Sequence, residues 1–277
     1  MARDRTYRSE AIVLRRSNFG EADRMLTLYS KEFGKIRALA KGARKPQTRK
    51  TGHVELFMRT DFMFARGKSI DIITHAELVE AYQQIRTDLV RTTYASYAVE
   101  LIDQLTADAD RDLRKYSLLS EALEWFAASG DLMLTARYYE LRLLALAGFQ
   151  PQLFHCISGG EAIEEQDQFF SAEAGGLICP DCQSADPRAL AISAPAVKVL
   201  RYMQSRPWDT VKVLRLRGEL NRELELLMYY YLSYILERNL KSVDFLRQLR
   251  REAALFASQD GTEPSAPDPE KKTGASG

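Results

Sequence analysis

Three cysteines and one run of cations are the parts of this sequence whose types and spacing could do chemistry. Cys179-Pro180-Asp181-Cys182 is a CxxC pair, and Cys156 lies 23 residues before it. Thiolates so spaced can reach a single tetrahedral metal ion, as in zinc knuckles. A second pair would be completed three residues after Cys156, but that position is Gly159. Cys156, Cys179 and Cys182 are therefore candidate ligands for one structural zinc whose fourth ligand is missing from the pattern. His155, Asp181, Asp186, His53, His75 or water could supply it, although His155 is awkwardly placed beside Cys156. A degenerate knuckle with free thiols is the alternative. A redox dithiol is disfavoured because no βαβ pattern surrounds the CxxC. A catalytic zinc is disfavoured because no Glu is paired with a metal-binding His.

The cations lie between Lys31 and Gly52, in KEFGKIRALAKGARKPQTRKTG. This stretch has eight Lys or Arg and one acid, a local charge of +7 in a chain of net +1. Residues 1–80 hold 17 Lys/Arg against 10 Asp/Glu, so a basic front precedes an acidic body. Such segregation points to a polyanionic partner, nucleic acid first. Lys35, Arg37, Lys41, Arg44, Lys45, Arg49 and Lys50 are the candidate phosphate contacts. A backbone neutralised by them releases counterions, which drives binding with little regard to sequence. The bland alternative is a solvated basic loop.

The front reads as β. Strand-like segments run over Ala11–Arg15, Arg24–Tyr29, Lys35–Lys41, Val54–Ala65 and Ser69–Thr74, punctuated by glycines, Asn18 and Pro46. Five strands with no room for crossover helices predict a small barrel of the OB type over 1–80. In the third segment Ile36, Ala38 and Ala40 alternate with Lys35, Arg37, Leu39 and Lys41, which predicts an apolar inner face and a cationic outer one. Phe19 and Phe33 flank the first strands and could stack on bases, with barrel core the favoured role for both.

The body reads as helix. Tyr94 to Leu105, Leu119 to Phe126 and a segment from an Asp131 N-cap to Ala147 carry apolar stripes at helical spacing, a bundle over 81–150. Residues 151–187 form the cysteine-bearing insertion, with a hairpin expected across Ala162–Leu177. Residues 188–257 complete the helical body: a short helix from Pro195, a break at Pro207–Trp208 and a long helix over Gly218–Arg238. Residues 258–277, rich in Pro, Gly, Ser and charge, predict a disordered tail. The fold class is α+β: an N-terminal five-stranded OB-type barrel, then an all-α domain with the knuckle-like insertion. Arg238, Lys241, Arg247, Arg250 and Arg251 are read as a solvated helix face rather than an extension of the cationic track.

Three patterns then resemble one family, the bacterial recombination mediator RecO. EAIVLRRSNFGEADRMLTLYSKEFGKIRALAKGARK (10–45) supplies Gly20–Glu21, Asp23, Leu26–Thr27–Leu28, Gly34 and Ala40–Lys41–Gly42–Ala43–Arg44. YELRLLALAGFQP (139–151) resembles the family segment before its cysteines, and LMYYYLSYILERNLKSVDFL (227–246) its C-terminal pattern. Family members with the full cysteine motif read C..CG…C..C, from which Gly159 departs. The resemblance implies an OB domain that binds single- and double-stranded DNA. It implies strand annealing and work with RecR, sometimes RecF, to load RecA onto strands coated by single-strand-binding protein.

No nucleophile elbow, GxxxxGK[ST] loop or GxGxxG is found, so a binding protein is favoured over an enzyme. The runner-up is an RNA-binding or translation-associated OB protein with a zinc knuckle, and a purely structural adaptor follows. No apolar run approaches the roughly 20 residues of a membrane span. The charged N-terminus lacks a secretory h-region, and three cysteines fit a reducing cytosol. A cytoplasmic, nucleoid-associated protein is expected.

Overall fold

The computed structural model describes residues 5–44, 51–216 and 218–236. Lys45, Arg49 and Lys50 of the basic run, the cations from Arg238 onward and the 258–277 tail lie outside the described residues.

Five strands, β1 (Thr6–Phe19), β2 (Asp23–Ser30), β3 (Gly34–Ala40), β4 (Arg59–Ala65) and β5 (Asp71–Glu80), close into a barrel in the order β1-β2-β3-β5-β4. The pair β3–β5 is parallel and the others are antiparallel, which is the OB-type arrangement. Small and branched residues alternate inward: Ala11, Val13, Leu26, Leu28, Ala38, Ala40 and Ile73 surround Phe62 and Phe64. The alanines of β3 leave room for the two rings.

Strand β4 begins at Arg59 and not at Val54. Phe57 adopts a left-handed φ of 70°, so the alternation of 54–58 is not that of a strand. Val54 enters the barrel core, whereas Phe57 joins the neighbouring one. Val13 N–H donates to Met58 O, and Phe57 N–H donates to Val13 O, at the point where β1 bulges between Val13 and Arg15. Strand β5 starts later than expected and runs on to Glu80, its alternation interrupted by register shifts against β4.

The body consists of α1 (Gln83–Thr87), α2 (Leu89–Leu105), α3 (Leu113–Ala128), α4 (Leu132–Leu146), α5 (Ala194–Ser205), α6 (Trp208–Val211) and α7 (Gly218–Leu236). Their starts are written in the sequence. Asp88, Asp112, Asp131 and Ser193 each accept a backbone N–H of the first helical turn. Between α4 and α5 lies a sheet in the order β7-β6-β8, from β6 (Gln168–Ser171), β7 (Gly176–Ile178) and β8 (Leu190–Ile192). The expected hairpin is β6–β7; the three-residue β8 is an addition to the expected all-α body.

A second core joins the two regions. Ile12, Leu14, Tyr29 and Phe57 from the outside of the barrel share one apolar cluster with Ile102, Leu119, Leu123 and Tyr139 of the helices. Around it, Tyr116 Oη donates to Glu10 (2.7 Å) and Arg59 donates to Ser120 (2.7 Å). Burial, then the Glu10 carboxylate, push the Tyr116 phenol well above its ordinary range.

Candidate nucleic-acid interface and metal centre

Strand register lays out the cationic face row by row. On the outside of the barrel, cross-strand neighbours form the rows Ile12–Tyr29–Lys35, Arg15–Thr27–Arg37 and Ser17–Met25–Leu39. A fourth row is Phe19–Asp23, with Lys41 just past the end of β3.

The first row lies beneath the helical body. Ile12 and Tyr29 are fully buried, and Lys35 is only 12% exposed. Its Nζ donates to Asp103 O at 2.7 Å and stands 3.2 Å from the Asp103 carboxylate. Lys35 thus departs from the expected cationic surface, because the helical body covers its row and Asp103 binds its ammonium. The second row is the rim: Arg15 lies 3.0 Å from Asp103, and Arg37, 66% exposed, lies 3.8 Å from Asp108. Beyond it the face is open. Met25 and Leu39 are half-buried, and Phe19 is 51% exposed and therefore not barrel core. Phe33 is held edge-on to Tyr7 (4.7 Å) with the Arg111 guanidinium over its ring, so protein already occupies it.

Lys41 and Arg44 are exposed at the open end. Arg44 N–H donates to Ala22 O (2.9 Å), and Gly42 N–H donates to the Asp23 carboxylate (2.8 Å). These bonds tie the start of the basic loop to the β1–β2 turn, beside Phe19. The described face therefore brings together Arg37, Lys41 and Arg44, adds Arg15 and Phe19, and assigns Lys35 to the joint. Arg15 lay outside the basic run; its signal was the period-two continuation Arg15, Ser17, Phe19. Cations around a strip of Phe19, Met25 and Leu39 can hold a phosphate backbone while bases rest on the apolar groups.

The cysteines converge. The Sγ atoms of Cys156, Cys179 and Cys182 and a carboxylate oxygen of Glu161 lie within 4.8 Å of one another, a set that could hold a metal ion. Glu161 was not among the ligands expected. A tight turn brings it in: Gly160 N–H donates to Cys156 O and Cys156 N–H donates to Glu161 O, both at 2.8 Å. A Cβ built on Gly159 would collide with Glu161 Oε2 and stand 3.1 Å from Cys182 Sγ. The carboxylate thus fills the cradle that a cysteine at 159 would use. His53 is elsewhere, bonded to Ala76 O in the barrel, and Asp186 accepts from Ser171 and Arg188.

Burial raises the Cys156 thiol, but N–H groups of Cys179, Gly159 and Ser158 aimed at its sulfur outweigh this and hold it at about 7. Hydrogen bonding to Cys179 and Cys156, with some burial, pushes Cys182 up to about 12. The N–H groups around Cys156 thus favour its thiolate, the form that binds a metal.

Comparison with known proteins settles the family. The model for the Recombination protein O N terminal region matches residues 1–82, and that for the Recombination protein O C terminal region matches 86–244. The chain belongs to the RecO family. A "DNA repair protein RecO" of Roseiflexus sp. (strain RS-1) is 41% identical over 249 residues, 90% of this chain and 88% of that protein. One of Desulforamulus reducens is 38% identical over 245 residues, 88% of this chain and 94% of that protein. The RecO assignment accords with the closed barrel and the helical region after it. No helix among the described residues is long and apolar enough to cross a membrane.

Proposed function

We propose that this RecO-family chain is a DNA-binding recombination mediator and not an enzyme. It binds single- and double-stranded DNA, promotes annealing of complementary strands, and assists loading of RecA together with RecR, on strands covered by single-strand-binding protein and in some settings with RecF. The observation that carries the reading is the half-open barrel face: Arg37, Lys41 and Arg44 around an exposed Phe19, beside the one row closed off by the helical body. Cations on an open sheet screen the phosphates of two strands without reading their bases, so the bases remain free to pair. The repair role named for the relatives of this chain supports the choice of DNA.

The test compares affinity for single-stranded DNA, duplex DNA and RNA of equal length, together with annealing rate, for wild type and Lys41→Glu/Arg44→Glu. The double variant should weaken both DNA affinities at least tenfold and slow annealing in proportion. Phe19→Ala should weaken the single strand selectively, by about 1–3 kcal/mol. Wild-type binding by the double variant would remove this face from the DNA path, and a preference for RNA would favour the RNA-binding reading.

The cysteine cluster is read as a structural zinc site with Cys156, Glu161, Cys179 and Cys182 as ligands. Three thiolates and one carboxylate are donor types that a structural zinc site uses, and these four groups would hold the ion. With four protein ligands the ion would have no open position for substrate, and its contribution would be to the folding of residues 156–182.

A further inference from the structure

The connection between α2 and α3 stands on the rim of the same barrel face. Its placement is fixed by backbone: Ala109 N–H donates to Lys35 O at 2.9 Å, and Asp108 forms an isolated parallel bridge with Lys35. Asp108 is thereby pinned one row below Arg37 and places its carboxylate 3.8 Å from that guanidinium, both side chains being about two-thirds exposed. Asp103, near the end of α2, lies 3.0 Å from Arg15 in the same cross-strand row. Both cations of the rim row are thus paired with carboxylates from the helical body.

We propose that Asp103 and Asp108 are built-in competitors for DNA: they occupy the guanidinium groups of Arg15 and Arg37, and a phosphate backbone must displace them to engage the whole face. This rests on the DNA-binding reading of that face. The exchange leaves no charge stranded. Asp103 is mostly buried, but when Arg15 leaves, it keeps Lys35 at 3.2 Å. Asp108 keeps Lys35 at 3.8 Å and is exposed, so water solvates the rest of its carboxylate when Arg37 turns to a phosphate. Two footprints follow. A short one uses Lys41, Arg44 and the apolar strip with both ion pairs intact. A longer one recruits Arg15 and Arg37 against the repulsion of the two carboxylates. The helical body then sets how far along the barrel a strand is held, and screening by salt weakens the competitor as well as the DNA contact.

The experiment uses the full chain and fluorescent oligothymidylate at several salt concentrations. Asp108→Asn should raise affinity about three- to tenfold and steepen the dependence of log K on log salt by about 0.7, the increment of one further phosphate contact on a single strand. In an Arg37→Gln background the same substitution should give only the smaller gain that loss of any nearby exposed acid gives, no larger than that of Glu21→Gln. Glu21→Gln, which removes an exposed acid at the β1–β2 turn, should raise affinity less and should do so with or without Arg37. Absence of a gain in Asp108→Asn beyond that of Glu21→Gln, or a gain of full size that survives in Arg37→Gln, would overturn the competitor. If Lys41→Glu/Arg44→Glu binds like wild type, the DNA-binding face itself fails, an outcome distinct from failure of the competitor alone. Matching thermal melts of Asp108→Asn and wild type exclude a folding effect.

Discussion

Lys35 and Arg37 point the same way from one strand, yet they meet different fates. Lys35 neutralises Asp103 under the helical body, and Arg37 reaches solvent. The alternation of β3 showed in the sequence that both face outward. It could not show which row the helices cover, because that depends on contacts some 70 residues apart. Lys35→Ala should therefore behave as a stability mutation. It leaves a mostly buried carboxylate with Arg15 alone and should cost about 1–3 kcal/mol by denaturant titration. Arg37→Ala should leave the denaturation midpoint unchanged. Glu161 presents the complementary case. Cysteine spacing located three of the four clustered ligand groups, and the fourth was hidden because the regular spacing points to Gly159. Only the turn at Gly159–Gly160 carries the chain on to Glu161. Protein purified without chelator should hold about one zinc per chain by elemental analysis. Glu161→Ala should release zinc to a chelator at least tenfold faster, and Cys179→Ser should hold none. A metal-free wild type would reject the site.

At the scale of elements, legibility followed periodicity. Helices α2, α3 and α4 were visible as apolar stripes, and the Asp131 cap was visible as a residue type in the right place. Strand β8, three residues long, has no period to read. The false start of β4 came from Phe57, whose left-handed backbone no pattern announces. The β2–β3 turn shows how one position can fix the joint between regions. Gly34 has φ +66°, and a Cβ there would run into the backbone carbonyl of Asp110. Gly34→Ala combines a disfavoured backbone with a main-chain collision, which cannot be relieved by moving a side chain. It should cost more than about 2 kcal/mol by denaturant titration. The loss should also disturb the Asp108–Arg37 contact, because Asp108 and Asp110 belong to one connection.

For the whole molecule, charge segregation was legible from composition, and the barrel followed by helices was legible from the change of period. The cohesion of the two was not. Ile12, Leu14, Tyr29 and Phe57 face out of the barrel into the helical core, although in sequence they look like ordinary strand residues. A chain ended after Tyr82, where the N-terminal family match stops, would present those four side chains to water. Such a fragment should aggregate or remain unfolded, as measured by size-exclusion chromatography and circular dichroism, whereas the full chain should unfold in one transition. The covered first row also sets a length. The three remaining rows stand two residues apart along the strands, about 7 Å each, and span three strands about 5 Å apart. That leaves a platform of about 13 by 10 Å, room for only a few nucleotides, at the short end of what OB barrels cover. A strand gripped over so small an area leaves most of its bases outside the protein, within reach of a complementary strand.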